Sequence, residues 1–221
     1  MEVHLIATTY AAQKTCGRAA AKCVGSSNPE KSLAAAMARG HEGVAEHANF
    51  TFEVNGVSRV LLAQLTRHRL MSFDVTSQRY IRVKDVNVVV PDSVIERGWA
   101  DNFKAQARAA FSLYNVMAED GVPIEDARYI LPEGCTVDLI MTCNARELRH
   151  FFSLRCCNRA QWEIRQLADE MLRHVRRVAP VLFADAGPAC VRGRCPEGSA
   201  ACKQPRSKDP LFAGEVEACS P

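Results

Sequence analysis

Residues 67–80 read RHRLMSFDVTSQRY and form the most specific pattern in the chain. Arg67, His68 and Arg69 place three cationic or cationisable side chains in a row, and serines and Arg79 follow. Adjacent like charges repel, so the cluster alone does not stabilise a fold. It suits an anion, because a guanidinium matches phosphate oxygens bidentately and serine hydroxyls add polar contacts. The pattern predicts an anion-binding loop, with a solvated basic loop as the alternative.

The spacing within this stretch resembles a family signature. Arg-His-Arg-x-x-Ser followed by Ser-x-Arg-Tyr is similar, position by position, to the motif of the flavin-dependent thymidylate synthases. The resemblance implies that the Arg67–Arg69 triplet holds a flavin and that the Ser77–Arg79 end grips a nucleotide phosphate. Val75 departs from the pattern, since some members carry glutamate there, and we expect only backbone contact from it.

Three further stretches resemble the same family: GHEGVAEH at 40–47, ARYILP at 127–132 and NARELRHFFSLR at 144–155. The resemblance implies two sets of binding residues. The FAD set comprises His41, Arg67, His68, Arg69, Asn144, Arg146 and His150. The dUMP set comprises Gln64, Ser77, Gln78, Arg79, Arg128 and Arg155.

The reaction that the resemblance implies is reductive methylation of dUMP to dTMP at C5. The carbon donor would be 5,10-methylenetetrahydrofolate, and the reductant FAD that NADPH or NADH has reduced. Arg155 matches the family's catalytic, pyrimidine-activating arginine, because a cation near N3 and O2 would stabilise the anionic ring. An ordinary cation at a helix C-terminus is the alternative for Arg155. The family also implies a homotetramer with sites between subunits.

Length and composition fit one sizeable core. The chain has 221 residues, 48% of them hydrophobic, and a net charge of +3. So small a charge does not favour nucleic acid or a membrane as partner. The N-terminus lacks the basic and apolar regions of a signal peptide, so we expect a cytoplasmic protein whose ten cysteines are reduced.

The competing classes use other features of the chain. A single-strand nucleic-acid-binding module would combine the arginines with four aromatic residues: Phe73, Tyr80, Phe151 and Phe152. A metal- or redox-sensing protein would use the C-terminal cysteines. No nucleophile elbow, P-loop or dinucleotide-binding glycine motif is present in the sequence.

Local patterns predict an α+β fold with an antiparallel sheet and packed helices, similar to that of the resembled family. Phe50–Val54 and Val57–Leu62 flank Asn55-Gly56, which predicts a type I′ hairpin. Further predicted segments are strands at 3–7, 80–83, 87–90 and 136–142, short helices at 18–24, 32–39 and 125–130, and a long helix from about residue 93 to Gly121. Helix starts are predicted at Asn144 and Asn158, and the break between those helices leaves Arg155 at a helix end.

Residues 1–184 are predicted to form one catalytic domain, and 185–221 an irregular tail rich in Gly, Pro and Cys. Cys190, Cys195, Cys202 and Cys219 are enough thiols for zinc, but their spacing is not that of close Cys-x-x-Cys pairs. A reduced mobile tail, or one tied by a disulfide, fits better, so we predict no metal site. We also expect truncation after Ala184 to leave activity largely intact.

Overall fold

The computed structural model describes residues 1–83, 85–193 and 195–213. Its sheet is antiparallel, with strand order β1-β2-β4-β3. The strands are β1 (Glu2–Thr8), β2 (Asn49–Ser58), β3 (Ser72–Val75) and β4 (Thr136–Asn144). The direction of pairing follows from two contacts between β2 and β4. The hydroxyl oxygens of Thr51 and Thr142 lie 3.0 Å apart, and the later Gly56 N–H donates to the earlier Asp138 Oδ1 at 2.8 Å.

The helices of the described residues complete the α+β fold class predicted from the sequence, which is confirmed. They are α1 (Ala12–Val24), α2 (Pro29–Ala38), α3 (Arg59–Leu65), α4 (Asp92–Glu96), α5 (Ala100–Glu119), α6 (Ile124–Ala127), α7 (Ala145–Arg155), α8 (Trp162–Val178), α9 (Pro180–Phe183), α10 (Ala189–Arg192) and α11 (Pro210–Ala213). Short 3₁₀ helices span Glu42–His47, Arg128–Ile130, Gly198–Ala200 and Arg206–Lys208.

The chain divides into two compact units. The first comprises Met1–Glu2, Val54–Arg67 and Asp74–Leu139. Its longest helix, α5, buries a stripe of Ala107, Phe111 and Tyr114, as the 3.6-residue period predicts. The Tyr114 hydroxyl also accepts a hydrogen bond from the Val83 N–H at 3.2 Å, so the core of this unit fixes the irregular segment before residue 84.

The second unit comprises Val3–Glu53, His68–Phe73 and Ile140–Pro221. Its core contains three fully buried phenylalanines. The ring of Phe183 lies edge-on to those of Phe50 and Phe152, with centroids 5.4 and 6.0 Å apart, respectively. Helix α8 adds an apolar stripe, of which Ile164, Leu167, Met171 and Val175 are fully buried. Together these side chains hold α7 and α8 in one hydrophobic core.

The predicted hairpin is wrong. Strand β2 runs without interruption through Asn55 and Gly56, and α3 follows it directly. A type I′ turn needs positive φ at both central residues, but only Gly56 adopts it, at +71°. Ser58 then accepts a hydrogen bond from the Leu61 N–H at 3.0 Å, which starts a helix where the second strand was expected.

Other boundaries also differ from the predictions. Residues 80–83 form no strand, and residues 87–90 contribute only a single bridge from Val88 to Cys135. The predicted long helix is split into α4 and α5 by Gly98, whose φ of +75° is incompatible with a continuous helix. Helix α8 is capped by Gln161 rather than Asn158, since the Gln161 side chain accepts from the N–H groups of residues 163 and 164.

The segment after Ala184 was predicted to be irregular, but it contains α10, α11 and two 3₁₀ turns. Its Arg206 is only 8% exposed, so at least part of the segment packs on the rest of its unit. The predicted division into a domain at 1–184 and a tail at 185–221 stays a prediction. Cys219 lies outside the described residues.

Among the residues that the structure describes, no helix is both long and apolar enough to cross a bilayer. Within the same ranges, no three His, Cys, Asp or Glu side chains are grouped so that they could hold a metal ion.

Candidate active site

Helix α7 provides one wall of the candidate site, and its start is locally encoded. The Asn144 side chain accepts a hydrogen bond from the Glu147 N–H at 2.9 Å, which satisfies one of the free amides of the first turn. From this cap onward, Glu147, Phe151 and Arg155 recur every four residues and therefore share one face of the helix. Arg155 is the last residue of α7, as predicted from the sequence.

His68 lies against that face. Its side chain is buried, and its ring contacts the ring of Phe151 edge-on, with centroids 4.9 Å apart. Nδ1 lies 3.4 Å from Glu147 Oε1, and Nε2 lies 3.1 Å from Arg155 Nε. One buried imidazole thus connects a carboxylate and a guanidinium that stand two helical turns apart.

The protonation of His68 follows from these contacts. Burial lowers its pKa to about 4, and the nearby charges of Arg155 and His150 act in the same direction. The imidazole is therefore neutral at pH 7. Because Arg155 Nε can only donate, Nε2 of His68 must accept, which assigns the ring proton to Nδ1 facing Glu147. Burial in turn raises the pKa of Glu147.

The neutral His68 resolves the repulsion expected in the cationic triplet. Only Arg67 and Arg69 carry full charges, and both side chains are exposed, whereas His68 points into the core of its unit. In the described part of the chain, neither guanidinium has a hydrogen-bond or ion-pair partner. The triplet therefore presents two exposed cations that are available to an anionic ligand.

The remaining predicted FAD residues lie in the same unit as His68. His41 is exposed and precedes the 3₁₀ turn Glu42–His47, and His150 is exposed with its ring centroid 6.0 Å from that of His68. Arg146 forms an ion pair with Glu46 on that 3₁₀ turn. The sequence pattern had indicated no partner for this arginine.

Arg149, which the sequence pattern did not single out, fixes the 3₁₀ turn on α7. Its side chain is 2% exposed and donates to Glu42 Oε1 at 2.8 and 2.9 Å. It also donates to Asp185 Oδ1 and to the carbonyl of Leu182, each at 2.7 Å. A buried guanidinium with several charge-assisted bonds makes this a rigid support for the segment that follows His41.

Most of the predicted dUMP residues lie in the other unit, where two of them meet. Arg79 Nε donates to the carboxylate of Glu125, and Arg128 Nε donates to the backbone carbonyl of the same residue at 3.0 Å. Glu125 was not selected from the sequence. Ser77 accepts a hydrogen bond from the Arg79 N–H at 3.2 Å, so this serine orients the backbone of the arginine.

Gln78 differs from its neighbours because it is 5% exposed, and its amide donates to the thiol sulfur of Cys135 at 3.5 Å. Its predicted contact with dUMP stays a prediction. Gln64 lies in α3 and is partly buried. The first unit thus holds Gln64, Arg67, Ser77, Gln78, Arg79 and Arg128, and the second holds the other predicted site residues, including Arg155.

A family model described as "Thymidylate synthase complementing protein" matches residues 4–181. The chain belongs to this family. Every site residue predicted from the sequence falls inside the matched range, and the resemblance inferred from the Arg67–Tyr80 stretch is confirmed. The segment from residue 182 onward lies beyond the match.

Individual relatives agree with the family model. A flavin-dependent thymidylate synthase from Geobacter sulfurreducens is 48% identical over 179 residues, covering 80% of this chain and 77% of the relative. One from Clostridium tetani is 41% identical over 199 residues, covering 82% of this chain and 80% of the relative. The crystal structure of flavin-dependent thymidylate synthase ThyX from Helicobacter pylori, complexed with FAD and dUMP, matches with a TM-score of 0.69 at 25% identity. That match covers 85% of this chain and 100% of the other.

Proposed function

We propose that this chain is a flavin-dependent thymidylate synthase that methylates dUMP at C5 to give dTMP. The proposal takes 5,10-methylenetetrahydrofolate as carbon donor and FAD, reduced by NADPH or NADH, as reductant. The relatives named for this activity support it, as does the Helicobacter pylori structure with FAD and dUMP. The observation that carries it is the bond from Arg155 to His68, which joins the proposed pyrimidine-activating arginine to the cationic triplet.

The donor set of the second unit suits FAD. Arg69 is exposed and has no partner among the described side chains, and the exposed rings of His41 and His150 add donors or acceptors. With His68, Asn144 and Arg146 of the same unit, these residues would hold the anionic diphosphate and the polar edges of the cofactor. Arg67, adjacent to His68 in the sequence, completes the proposed FAD set. When bound, FAD supplies the reducing equivalents of the reaction. Because His68 is neutral and its ring proton is fixed on Nδ1, it holds Arg155 without adding a competing charge.

Arg79 and Arg128 are proposed to bind the phosphate of dUMP, with Ser77, Gln78 and Gln64 completing the set. The Arg79 side chain is 56% exposed, and its guanidinium forms an ion pair with the carboxylate of Glu125. A phosphate with about two negative charges competes well with one exposed carboxylate, since an exposed ion pair is worth only about 0–1 kcal/mol. Glu125 therefore keeps both arginines in place without blocking the nucleotide.

Arg155 is proposed to stabilise negative charge on the pyrimidine. Burial lowers its pKa, yet a guanidinium stays protonated at neutral pH. Its Nε–H bond to His68 fixes the plane of the guanidinium, so little reorganisation is needed when the ring becomes anionic. A half-buried cation also acts in a lower dielectric than water, which strengthens its effect on the charge that develops.

The proposed assembly is a cytoplasmic homotetramer with sites between subunits. Exposed Arg67 and Arg69 form only one side of a site for an extended dinucleotide, and a second copy would supply the other. Light scattering tests this part separately, since a monomer that still retains FAD tightly would contradict it.

The absorption spectrum of the purified protein tests the function. Flavin bands that bleach when NADPH is added, together with dTMP formation from dUMP and methylenetetrahydrofolate, are expected. A colourless protein that binds oligonucleotides in a salt-dependent manner would favour the nucleic-acid-binding alternative. That alternative has lost two of its four aromatic residues, because Phe151 and Phe152 are fully buried and cannot stack on bases.

A further inference from the structure

The C-terminal segment contacts the junction that follows Arg155. The junction, residues 156–160, connects α7 to α8, and three of its residues are bonded to residues beyond 195. The Cys156 carbonyl accepts from Arg206 Nη1 at 2.8 Å, and the Asn158 side chain donates to the Gln204 carbonyl at 2.8 Å. Arg159 donates to the carbonyl of Ala200. The backbone immediately after Arg155 is therefore held by a segment that lies outside the family match.

Arg206 is the centre of this attachment. Its side chain is 9% exposed and donates to Asp169 on α8 at 2.8 Å, as well as to the nearby Asp209 at 2.6 Å. Burial alone would lower the pKa of Arg206, but these two carboxylates raise it above the ordinary guanidinium value. The Arg206 side chain thus connects the residue that follows α7, helix α8 and the C-terminal segment.

Aromatic packing secures the same segment. The guanidinium of Arg206 lies 4.8 Å from the ring centroid of Phe212, and that of Arg176 lies 5.5 Å from it. Gly187 makes room for this ring, since a Cβ there would come within 2.6 Å of Phe212 Cε1. The C-terminal segment therefore packs through the ring of Phe212, which contacts two guanidinium groups and fits against a glycine.

We infer that Arg206 is a positioning residue for Arg155: by holding the Cys156 carbonyl, it fixes the end of α7 and so the direction of the activating guanidinium. The inference rests on the proposed function. It also replaces the expectation that the tail is dispensable, because truncation after Ala184 would remove Arg206. A displacement near 1 Å can cost about a hundredfold in rate, so a carbonyl anchor one residue from Arg155 is close enough to matter.

Amide hydrogen exchange tests the anchor without reference to catalysis. In Arg206→Ala, amide exchange of residues 155–159 should accelerate by about tenfold or more. Local opening of this backbone breaks the Arg206 bonds in the wild type, and without them the opening costs less free energy. Arg177→Ala is the matched control, since Arg177 is an exposed arginine of α8, and it should leave this exchange unchanged. If Arg206→Ala does not fold, Phe212→Ala loosens the same segment and should accelerate exchange in the same peptide. Unchanged exchange in a folded variant of either kind would overturn the inference.

Kinetics test the link to Arg155. Arg206→Ala should lower kcat for dTMP formation by roughly tenfold to a hundredfold, with KM for dUMP within about twofold and flavin content unchanged. Arg206→Lys should recover part of the loss, because lysine keeps a donor for the Cys156 carbonyl but not the fork. In an Arg155→Lys background, Arg206→Ala should cost less than about twofold more. Losses that multiply in the double variant would contradict positioning through Arg155.

A wild-type protein that forms no dTMP would instead refute the proposed function, while the exchange result would still decide whether Arg206 anchors the end of α7.

Discussion

Arg155 Nε donates a hydrogen bond to His68 Nε2 across 3.1 Å, although the two residues lie far apart in the sequence. This bond is possible only while Nε2 carries no proton. The carboxylate of Glu147, 3.4 Å from Nδ1 on the opposite side of the ring, favours the tautomer that leaves Nε2 bare. Buried His68 and Glu147 and half-buried Arg155 form one polar cluster, and the protonation of this cluster depends on pH.

Stability should decrease as the pH is lowered because of His68. Its folded pKa is about 4, against an ordinary value of 6.5. As pH falls below 6.5 the unfolded chain takes up the proton first, so the free energy of unfolding decreases until pH 4, below which both states are protonated. Over the whole range from pH 6.5 to pH 4, His68 lowers the free energy of unfolding by about 3 kcal/mol. Urea unfolding at pH 7, 5.5 and 4.5 measures the loss.

The comparison with His68→Gln isolates this effect, since other groups also titrate in the window. Glu147, whose pKa is raised by burial, acts in the opposite direction because its folded form takes up a proton first. The variant should show a shallower loss between pH 6.5 and 4, whereas the exposed control His47→Gln should match wild type. Identical pH profiles for wild type and His68→Gln would show that His68 is not buried in its neutral form.

Glu147→Gln should impair turnover without removing flavin. The amide of glutamine can face His68 with either its oxygen or its NH₂ group, so the selection of one imidazole tautomer is weakened. At metal sites, loss of a carboxylate that orients a histidine ligand typically costs about 10–100-fold in activity; for His68, which orients an arginine instead, we expect the lower end of that range in kcat. Glu170→Gln, on the exposed face of α8, is the control and should stay near wild type. Wild-type kcat in Glu147→Gln would indicate that Arg155 holds its position without this carboxylate.

How much of this arrangement could be predicted from the sequence depends on the range of the interactions. The start of α7 at Asn144 and its end at Arg155 were predicted, because a cap and the residues it bonds lie within one turn of each other. The contacts of His68 with Glu147 and Arg155 depend on packing between distant segments, and no local pattern indicates them. Glu125 was missed for the same reason, since only the fold brings its carboxylate to Arg79.

The hairpin shows how a strong local signal fails. Asn55-Gly56 favours a two-residue turn, but pairing with β4 favours an extended chain on both sides of it. The Gly56 N–H finds its partner in the Asp138 side chain, so one residue of positive φ is accommodated inside the strand. Ser58 was not singled out as a helix cap in the sequence, because the valines at positions 57 and 60 favour a strand there.

Gly56→Ala should therefore destabilise the protein. The residue adopts φ +71°, which costs an L-residue roughly 1–2 kcal/mol. The matched control is Gly43→Ala, since Gly43 has no positive φ and a Cβ added there would meet nothing within 4 Å. Chemical denaturation should show the loss for position 56 alone. Equal stability of the two variants would mean that the strand relaxes around the added methyl group.

Arg79→Ala should weaken dUMP binding by about 1.5–3 kcal/mol, because a guanidinium–phosphate contact is charge-assisted and bidentate. Flavin content should change much less, since Arg79 lies in the dUMP set. Arg82→Ala is the control: it removes a nearby arginine that pairs with Glu119 at 2.8 Å, and it should leave the dUMP dissociation constant unchanged. Calorimetric titration of dUMP into the flavin-loaded protein measures both. Similar losses in the two variants would indicate a general effect of positive charge rather than a phosphate site.

Arg155→Ala should lower kcat more than it weakens dUMP binding, in contrast to Arg79→Ala. The charge of Arg155 matters most when the pyrimidine becomes anionic, and an interaction made mainly in the transition state appears in kcat. Arg155→Lys keeps the charge but loses the planar fork and the Nε–H bond to His68, so it should recover only part of the rate. Steady-state kinetics with dUMP, alongside its dissociation constant, separates the two effects. Equal losses in kcat and affinity would make Arg155 a binding residue, and full activity of the lysine variant would show that charge alone, without the bond to His68, is sufficient.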